Sequence, residues 1–193
     1  MSETKEKRYK WRREDYRENT HGLLMVNTGD GKGKTTAAIG VLVRAAGRGL
    51  HCSMVQFMKS RNDRYGEHES LEKLGIEVHT MGDGFTWDTK DPAQDIKTSE
   101  ETWALCLEKM RSGDYDLIVF DELVYVLDYK FLDVKKVIAQ ITEVRAHQPH
   151  LHIIMTGRNA PPELVEAADL VTEMKEIKHP FHAGIYAQQG IEF

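Results

Sequence analysis

At 193 residues the chain suits one domain with a single core, and its 40% hydrophobic and 30% charged residues are ordinary for a soluble globular protein. A net charge of −5 offers no global field for nucleic acid, and no run approaches the ~18 apolar residues that would span a bilayer. Two cysteines far apart in sequence, Cys52 and Cys106, exclude a disulfide framework and a zinc site and read as small buried apolar side chains.

Residues 1–21 open the chain with a mixed-charge run, KEKRYKWRREDYRE, that contains Tyr9, Trp11 and Tyr16. The segment lacks the apolar stretch of a signal peptide, so the cytoplasm is the expected location. It reads either as a solvated arm or as a segment that folds over a ligand or a second subunit. Regular patterning begins after it. LLMVN (23–27) predicts a buried strand, and KTTAAIGVLVRAAG an alanine-rich helix closed by glycine. SMVQF (53–57) predicts a second strand, HESLEKLG a short helix, and IEVHT (76–80) a third strand. The loop MGDGFTWDTKDPAQ follows, and then a helix over 99–113 with Ser99 as its cap. DLIVFDE (116–122) is the most apolar strand of the chain. DVKKVIAQITEVRAHQ (133–148) is an amphipathic helix, HIIMTGR (152–158) a strand, PPELVEAAD a helix with proline in its first turn, and LVTEMKEI (170–177) a last strand. Strands alternating with helices across short loops predict a doubly wound, mostly parallel sheet with helices on both faces, within a single domain over 22–193.

Between the first strand and its helix lies Thr28-Gly29-Asp30-Gly31-Lys32-Gly33-Lys34-Thr35-Thr36. Glycines there let successive backbone N–H groups turn toward anionic oxygens, and the helix N-terminus adds its positive end. Lys34 supplies a mobile charge for phosphate, and the Thr35 hydroxyl can ligate Mg²⁺. The loop departs from the general phosphate-loop pattern, which places glycine where this chain has Thr28; Gly29 makes it one residue shorter. The apolar strand 116–122 ends in Asp121 and Glu122, which can hold Mg²⁺ directly or through water. The pattern predicts an ATP- or GTP-binding P-loop fold. Arg158, just after a strand, is a further candidate for phosphate, whereas Arg44 reads as helix solvation and His147, His150 and His152 as solvent-facing side chains.

Over nearly all of residues 22–193 the sequence resembles the P-loop type of ATP:corrinoid adenosyltransferase. The resemblance rests on TGDGKGKTTAA, VQFMK, GDGFTWDT, VFDELVYVL, TGRNAPPELVEAADLVTEM, HPFHAG and the terminal QQGIEF. GFTWDT is the most diagnostic of these. The implied fold is P-loop NTPase-like, of RecA type. The implied reaction transfers the 5′-deoxyadenosyl group of ATP to the Co(I) centre of a reduced corrinoid, with triphosphate leaving, in adenosylcobalamin formation. The corrinoid is itself the nucleophile, so the protein is left to position the reactants and stabilise charge on the departing triphosphate. Lys34, Thr35 and Glu122 are the expected catalytic residues. Residues Gly29, Asp30, Gly31, Lys32, Gly33, Lys34, Thr35 and Thr36, with Arg158, are expected on ATP, and Thr35, Asp121 and Glu122 on Mg²⁺. The resemblance also implies a nucleotide reversed in the loop, with the shortened loop expected to belong to that arrangement.

Phe85 and Trp87 match the family's aromatics that approach the corrinoid. Such a wall cannot coordinate cobalt and would exclude water from one face of the ring. A homodimer and a reducing flavoprotein, or another Co(II) reductant, are implied as partners. The alternative from the residues alone is a kinase or ATPase acting at the γ-phosphate, with Asp121 or Glu122 positioning the acceptor.

Overall fold

The structure, a computed structural model, describes residues 20–60, 62, 64–82 and 92–192. Six strands make one sheet among the described residues: β1 Leu24–Thr28, β2 Cys52–Ser60, β3 Glu77–Gly82, β4 Leu117–Asp121, β5 His152–Thr156 and β6 Leu170–Glu173. Their order is β3-β2-β4-β5-β1-β6, and every pairing is parallel. The helices among the described residues are α1 Lys34–Ala46, α2 Gly66–Lys73, α3 Pro92–Ser112, α4 Leu123–Asp128, α5 Val134–His147 and α6 Pro162–Ala167, and a 3₁₀ turn, Pro180–Ala183, follows β6.

The continuous apolar runs of the central strands arise because each strand serves two cores. In β4, Leu117 and Val119 pack with Ala38, Leu42 and Ala45 of α1, while Ile118 and Phe120 face the core shared with α3, α4, α5 and α6. Ile154 on β5 points to the first of these cores, and Ile153 and Met155 to the second. A strand covered on both faces cannot show the polar alternation of a half-exposed one. Cys52 and Cys106 are both free and buried, and burial pushes the Cys52 thiol up to about 11.

Two departures from the sequence pattern have local causes. Helix α3 begins at Pro92, seven residues before the expected cap at Ser99. Ser99 instead lies within the helix and donates to the Asp95 carbonyl at 2.7 Å, as Thr102 does to Thr98, so both hydroxyls bond backward along a continuing helix. Pro92 in the first turn is the true start signal. Helix α4 is not announced by periodicity, because Leu123, Val124, Val126 and Leu127 are all buried and leave no polar face to read.

Among the described residues no helix is long and apolar enough to cross a membrane. The expected arm lies almost entirely outside the described residues, as do Phe85 and Trp87 with the rest of GFTWDT.

Candidate phosphate and metal site

The C-terminal ends of β1, β4 and β5 meet the N-terminus of α1, and β5 lies between the strand that leads into the glycine loop and the strand that ends in the acids. In a parallel sheet this end collects the loops where ligands bind. The loop is shaped by its glycines. Gly33, the N-cap of α1, has φ 110°, and Gly29 has φ 94° with the place of a Cβ only 2.5 Å from the Met174 carbonyl oxygen. Side chains at either position would strain the turn or collide with the chain leaving β6. Gly31 N donates to that same Met174 oxygen at 2.6 Å, so the end of β6 buttresses the loop.

Lys34 is buried and folds back over the loop, donating to the carbonyls of Gly29 at 2.8 Å and Gly31 at 2.7 Å. Burial lowers its pKa, with the Glu122 charge opposing that shift. Its ammonium is thus held at the centre of the loop by weak neutral acceptors, which an anionic phosphate oxygen would outcompete. Asp30, Lys32 and Thr36 are exposed around it. Lys32 pairs with Glu192 at 2.6 Å, which draws the C-terminal segment across the loop.

The acids occupy a different environment. Asp121 has no solvent exposure; its Oδ1 accepts from Thr35 Oγ1 and from Thr156 Oγ1, both at 2.7 Å, and its Oδ2 accepts from Gln56 Nε2 at 3.2 Å. Lys59 Nζ lies 3.9 Å from Oδ2 and is itself ion-paired with Glu67. Glu122 takes a left-handed backbone with φ 63°, a conformation costing a non-glycine residue roughly 1 kcal/mol, and its N–H donates to Thr156 Oγ1 at 2.9 Å. Its Oε2 is buried without a hydrogen-bond partner. Burial, reinforced by the Asp121 charge, pushes the Glu122 carboxyl up to about 7, against the pull of Lys34, Lys59 and Arg158. A hydroxyl, two carboxylates and an orphaned carboxylate oxygen beside a phosphate loop fit a hard divalent cation that completes its shell with water and phosphate. Among the described residues no group of three or more His, Cys, Asp or Glu could hold a metal by itself, and the His147, His150 and His152 stretch is no exception.

A cleft of about 520 Å³ is lined by the loop from Lys32 to Thr36, by Lys59, Glu67 and Glu122, and by Gly190–Glu192 of the C-terminal segment. A cavity of similar volume, about 560 Å³, lies between α4, α5 and the Asn159–Glu163 turn and holds none of the loop residues. The chemistry, rather than the volume, marks the first of these as the site. The structure thus brings together the loop, Lys34, Thr35, Asp121 and Glu122, and it sets exposed Arg158 close enough for its charge to act on Lys34 and Glu122. Arg44 is exposed on α1, as its solvating role requires.

Four side chains of the site were given no role in the sequence reading: Gln56 and Lys59 within VQFMK, Thr156 at the start of TGRN, and Glu67. The available signal was a polar residue next to a run of apolar residues within a strand, since such a group must find a partner indoors. Gln56 in β2 and Thr156 in β5 both satisfy that test with no solvent exposure.

Comparison with known proteins agrees with this chemistry. The profile of the ATP:corrinoid adenosyltransferase family BtuR/CobO/CobP matches residues 20–193. A corrinoid adenosyltransferase from Sinorhizobium sp is 44% identical over 175 residues, covering 89% of this chain and 80% of that protein. One from Pseudomonas aeruginosa is 42% identical over 174 residues, covering 89% and 84%. Among solved structures, the flagellar accessory protein FlaH from Methanocaldococcus jannaschii superposes with a TM-score of 0.54 at 15% identity, covering 79% of this chain and 71% of that one, a likeness of fold alone. A P-loop α/β fold of RecA type, a phosphate loop faced by buried acids, and this match along the chain lead to one assignment: the protein is an enzyme of the ATP:corrinoid adenosyltransferase family.

Proposed function

We propose that the chain binds MgATP in the cleft over the glycine loop and transfers its 5′-deoxyadenosyl group to the Co(I) centre of a reduced corrinoid. The cobalt electron pair forms the bond to C5′, the C5′–O bond breaks with its electrons going to oxygen, and triphosphate leaves. No proton moves. The observation that carries this reading is the family match over residues 20–193 together with a site rich in donors for phosphate.

The side chains then divide the work. Lys34 exchanges the Gly29 and Gly31 carbonyls for phosphate oxygens, and the N–H groups of the loop and of the first turn of α1 face the triphosphate. Lys32 and Thr36 border the phosphates from solvent and Lys59 faces them from β2, while Arg158, whose charge reaches Lys34 and Glu122, is the further proposed phosphate contact. Donors fixed before the reaction stabilise charge on the leaving oxygens without reorganising. Thr35, Asp121 and Glu122 would hold Mg²⁺, which supplies further neutralisation of the triphosphate when bound.

Phe85 and Trp87 are the proposed corrinoid contacts. The arm of residues 1–21 is proposed to cover an active site, with 22–193 as the catalytic domain. Exposed Phe181, Tyr186 and Ile191 support association as a homodimer. A reducing flavoprotein is the proposed source of Co(I), and the cytoplasm the proposed location.

A second reading has one observation in its favour. A carboxyl titrating at about 7 beside a phosphate loop suits a base that activates water at the γ-phosphate. Anaerobic incubation with MgATP and chemically reduced cob(I)alamin separates the two. Adenosyl transfer yields a light-sensitive alkylcorrinoid with intact triphosphate; an unchanged corrinoid spectrum with accumulating ADP and phosphate would favour the hydrolase.

A further inference from the structure

Gln56 interrupts the apolar run of β2 at a point with no solvent exposure, so both ends of its amide need partners within the protein. Those partners determine one another. Nε2 donates to Asp121 Oδ2 at 3.2 Å, and because a carboxylate only accepts, the NH₂ group has to face β4. Oε1 is thereby turned toward β3 and α2, where Thr80 Oγ1 donates to it at 3.2 Å and His68 Nε2 lies at 2.6 Å. An amide oxygen cannot donate, so the imidazole proton sits on Nε2. Nδ1 is left as an acceptor, and the Tyr65 N–H just ahead of α2 donates to it at 3.3 Å. His68 is buried, and desolvation holds its pKa below the ordinary histidine value, which favours this neutral tautomer.

We infer that Gln56 and His68 are positioning residues for Asp121. His68, held as one tautomer at the start of α2, orients the Gln56 amide so that it binds Oδ2 and leaves Oδ1 facing Thr35. Beside that brace stands the Lys59 ammonium, 3.9 Å from Oδ2 and shared with Glu67. Without the brace, Lys59 would move onto the buried carboxylate, withdrawing a cation from the cleft and turning the acid away from the metal position. Thr80 is a second, longer bond to Gln56, so loss of His68 costs less than loss of Gln56. The inference rests on the proposed reading of Asp121 as an acid serving Mg²⁺.

The test is calorimetric titration of the full-length protein with ATP, once with Mg²⁺ and once with EDTA, alongside thermal melting. Removing an outer-shell partner of a metal ligand commonly costs 10–100-fold in metal affinity. Gln56→Leu is therefore expected to weaken MgATP binding roughly tenfold while metal-free ATP shifts by less than about twofold. His68→Leu is expected to lose about threefold, and His68→Gln, which restores an N–H donor, to recover it. The His68 pair carries the test where Gln56→Leu does not fold. Asp121→Asn is the reference. If it weakens MgATP selectively while the Gln56 and His68 variants only lower the melting temperature, the positioning role is wrong and the metal reading stands. If Asp121→Asn itself does not distinguish MgATP from ATP, the metal reading fails and the inference with it.

Discussion

On the loop side of the phosphate site, Lys34 reaches the carbonyls of Gly29 and Gly31, five and three residues away. On the acid side, Asp121 is held by Thr35, Gln56 and Thr156, which stand 86, 65 and 35 residues away. The first arrangement is largely a property of a short peptide bent by glycines around its own lysine, steadied by the end of β6. The second exists only once three strands, β2, β4 and β5, and the first turn of α1 have come together. The two sides also differ in electrostatics. The loop presents backbone dipoles and a lysine to an incoming anion. The acid side stores a buried carboxyl pushed up to about 7, with an oxygen that lacks a partner. Local sequence thus shapes the proposed anion site, and tertiary structure shapes the proposed cation site opposite it.

If that division is right, substitutions on the two sides fail differently. Lys34→Ala should have the largest effect on turnover, a loss of roughly 10²–10³, as expected for removing a preorganised donor to developing charge. Steady-state kinetics with cob(I)alamin would measure it, and a loss under about threefold would break the comparison on the loop side.

Glu122→Gln should lower turnover while stabilising the protein. The folded pKa of about 7 lies above the unfolded value near 4.5, so the stability linked to this group is fully present below about 4.5. It is lost as pH rises toward 7, because the folded chain retains a proton that the unfolded chain has released. Above pH 7 the metal-free Glu122→Gln protein should melt higher than the parent, and below pH 4.5 the two should converge. A variant that melts lower at pH 8 would show that the pull of Lys34, Lys59 and Arg158 on Glu122 outweighs its burial beside Asp121.

The smallest effect is expected at the rim. Glu192→Gln breaks the ion pair with Lys32, whose side chain is 47% exposed, so stability should move by less than about 1 kcal/mol in denaturant titrations. A larger change would mean that the C-terminal segment braces the loop more firmly than one solvent-screened pair allows.

The same contrast explains what could be read in advance. The parallel α/β architecture followed from apolar runs alternating with helices, and the loop from spacing alone, because each depends on neighbours in sequence. Asp121 and Glu122 were visible as the end of an apolar strand, whereas their closeness to the loop depends on the strand order β4-β5-β1, which only the structure shows. Gln56 and Thr156 stand inside motifs of the resemblance, VQFMK and TGRNAPPELVEAADLVTEM, but their roles were not legible there, since they depend on which strands become adjacent. The start of α3 was misplaced for a related reason: a serine followed by acids looks like a cap, and only the path of the chain shows that its hydroxyl bonds backward to Asp95. Glu122 illustrates the remaining gap. Its identity is in the sequence, but its left-handed backbone and raised pKa come from burial beside Asp121.

The bond that breaks tests the central claim most directly. ATP carrying ¹⁸O at the 5′ bridging position, turned over anaerobically with cob(I)alamin, reports it by mass spectrometry of the products. Attack at C5′ places the label in the released triphosphate, alongside an unlabelled adenosyl group on cobalt, and this is the result expected here. Label retained in ADP would mean that the enzyme cleaves at the γ-phosphate, and would contradict the assignment of the loop and acids to adenosyl transfer.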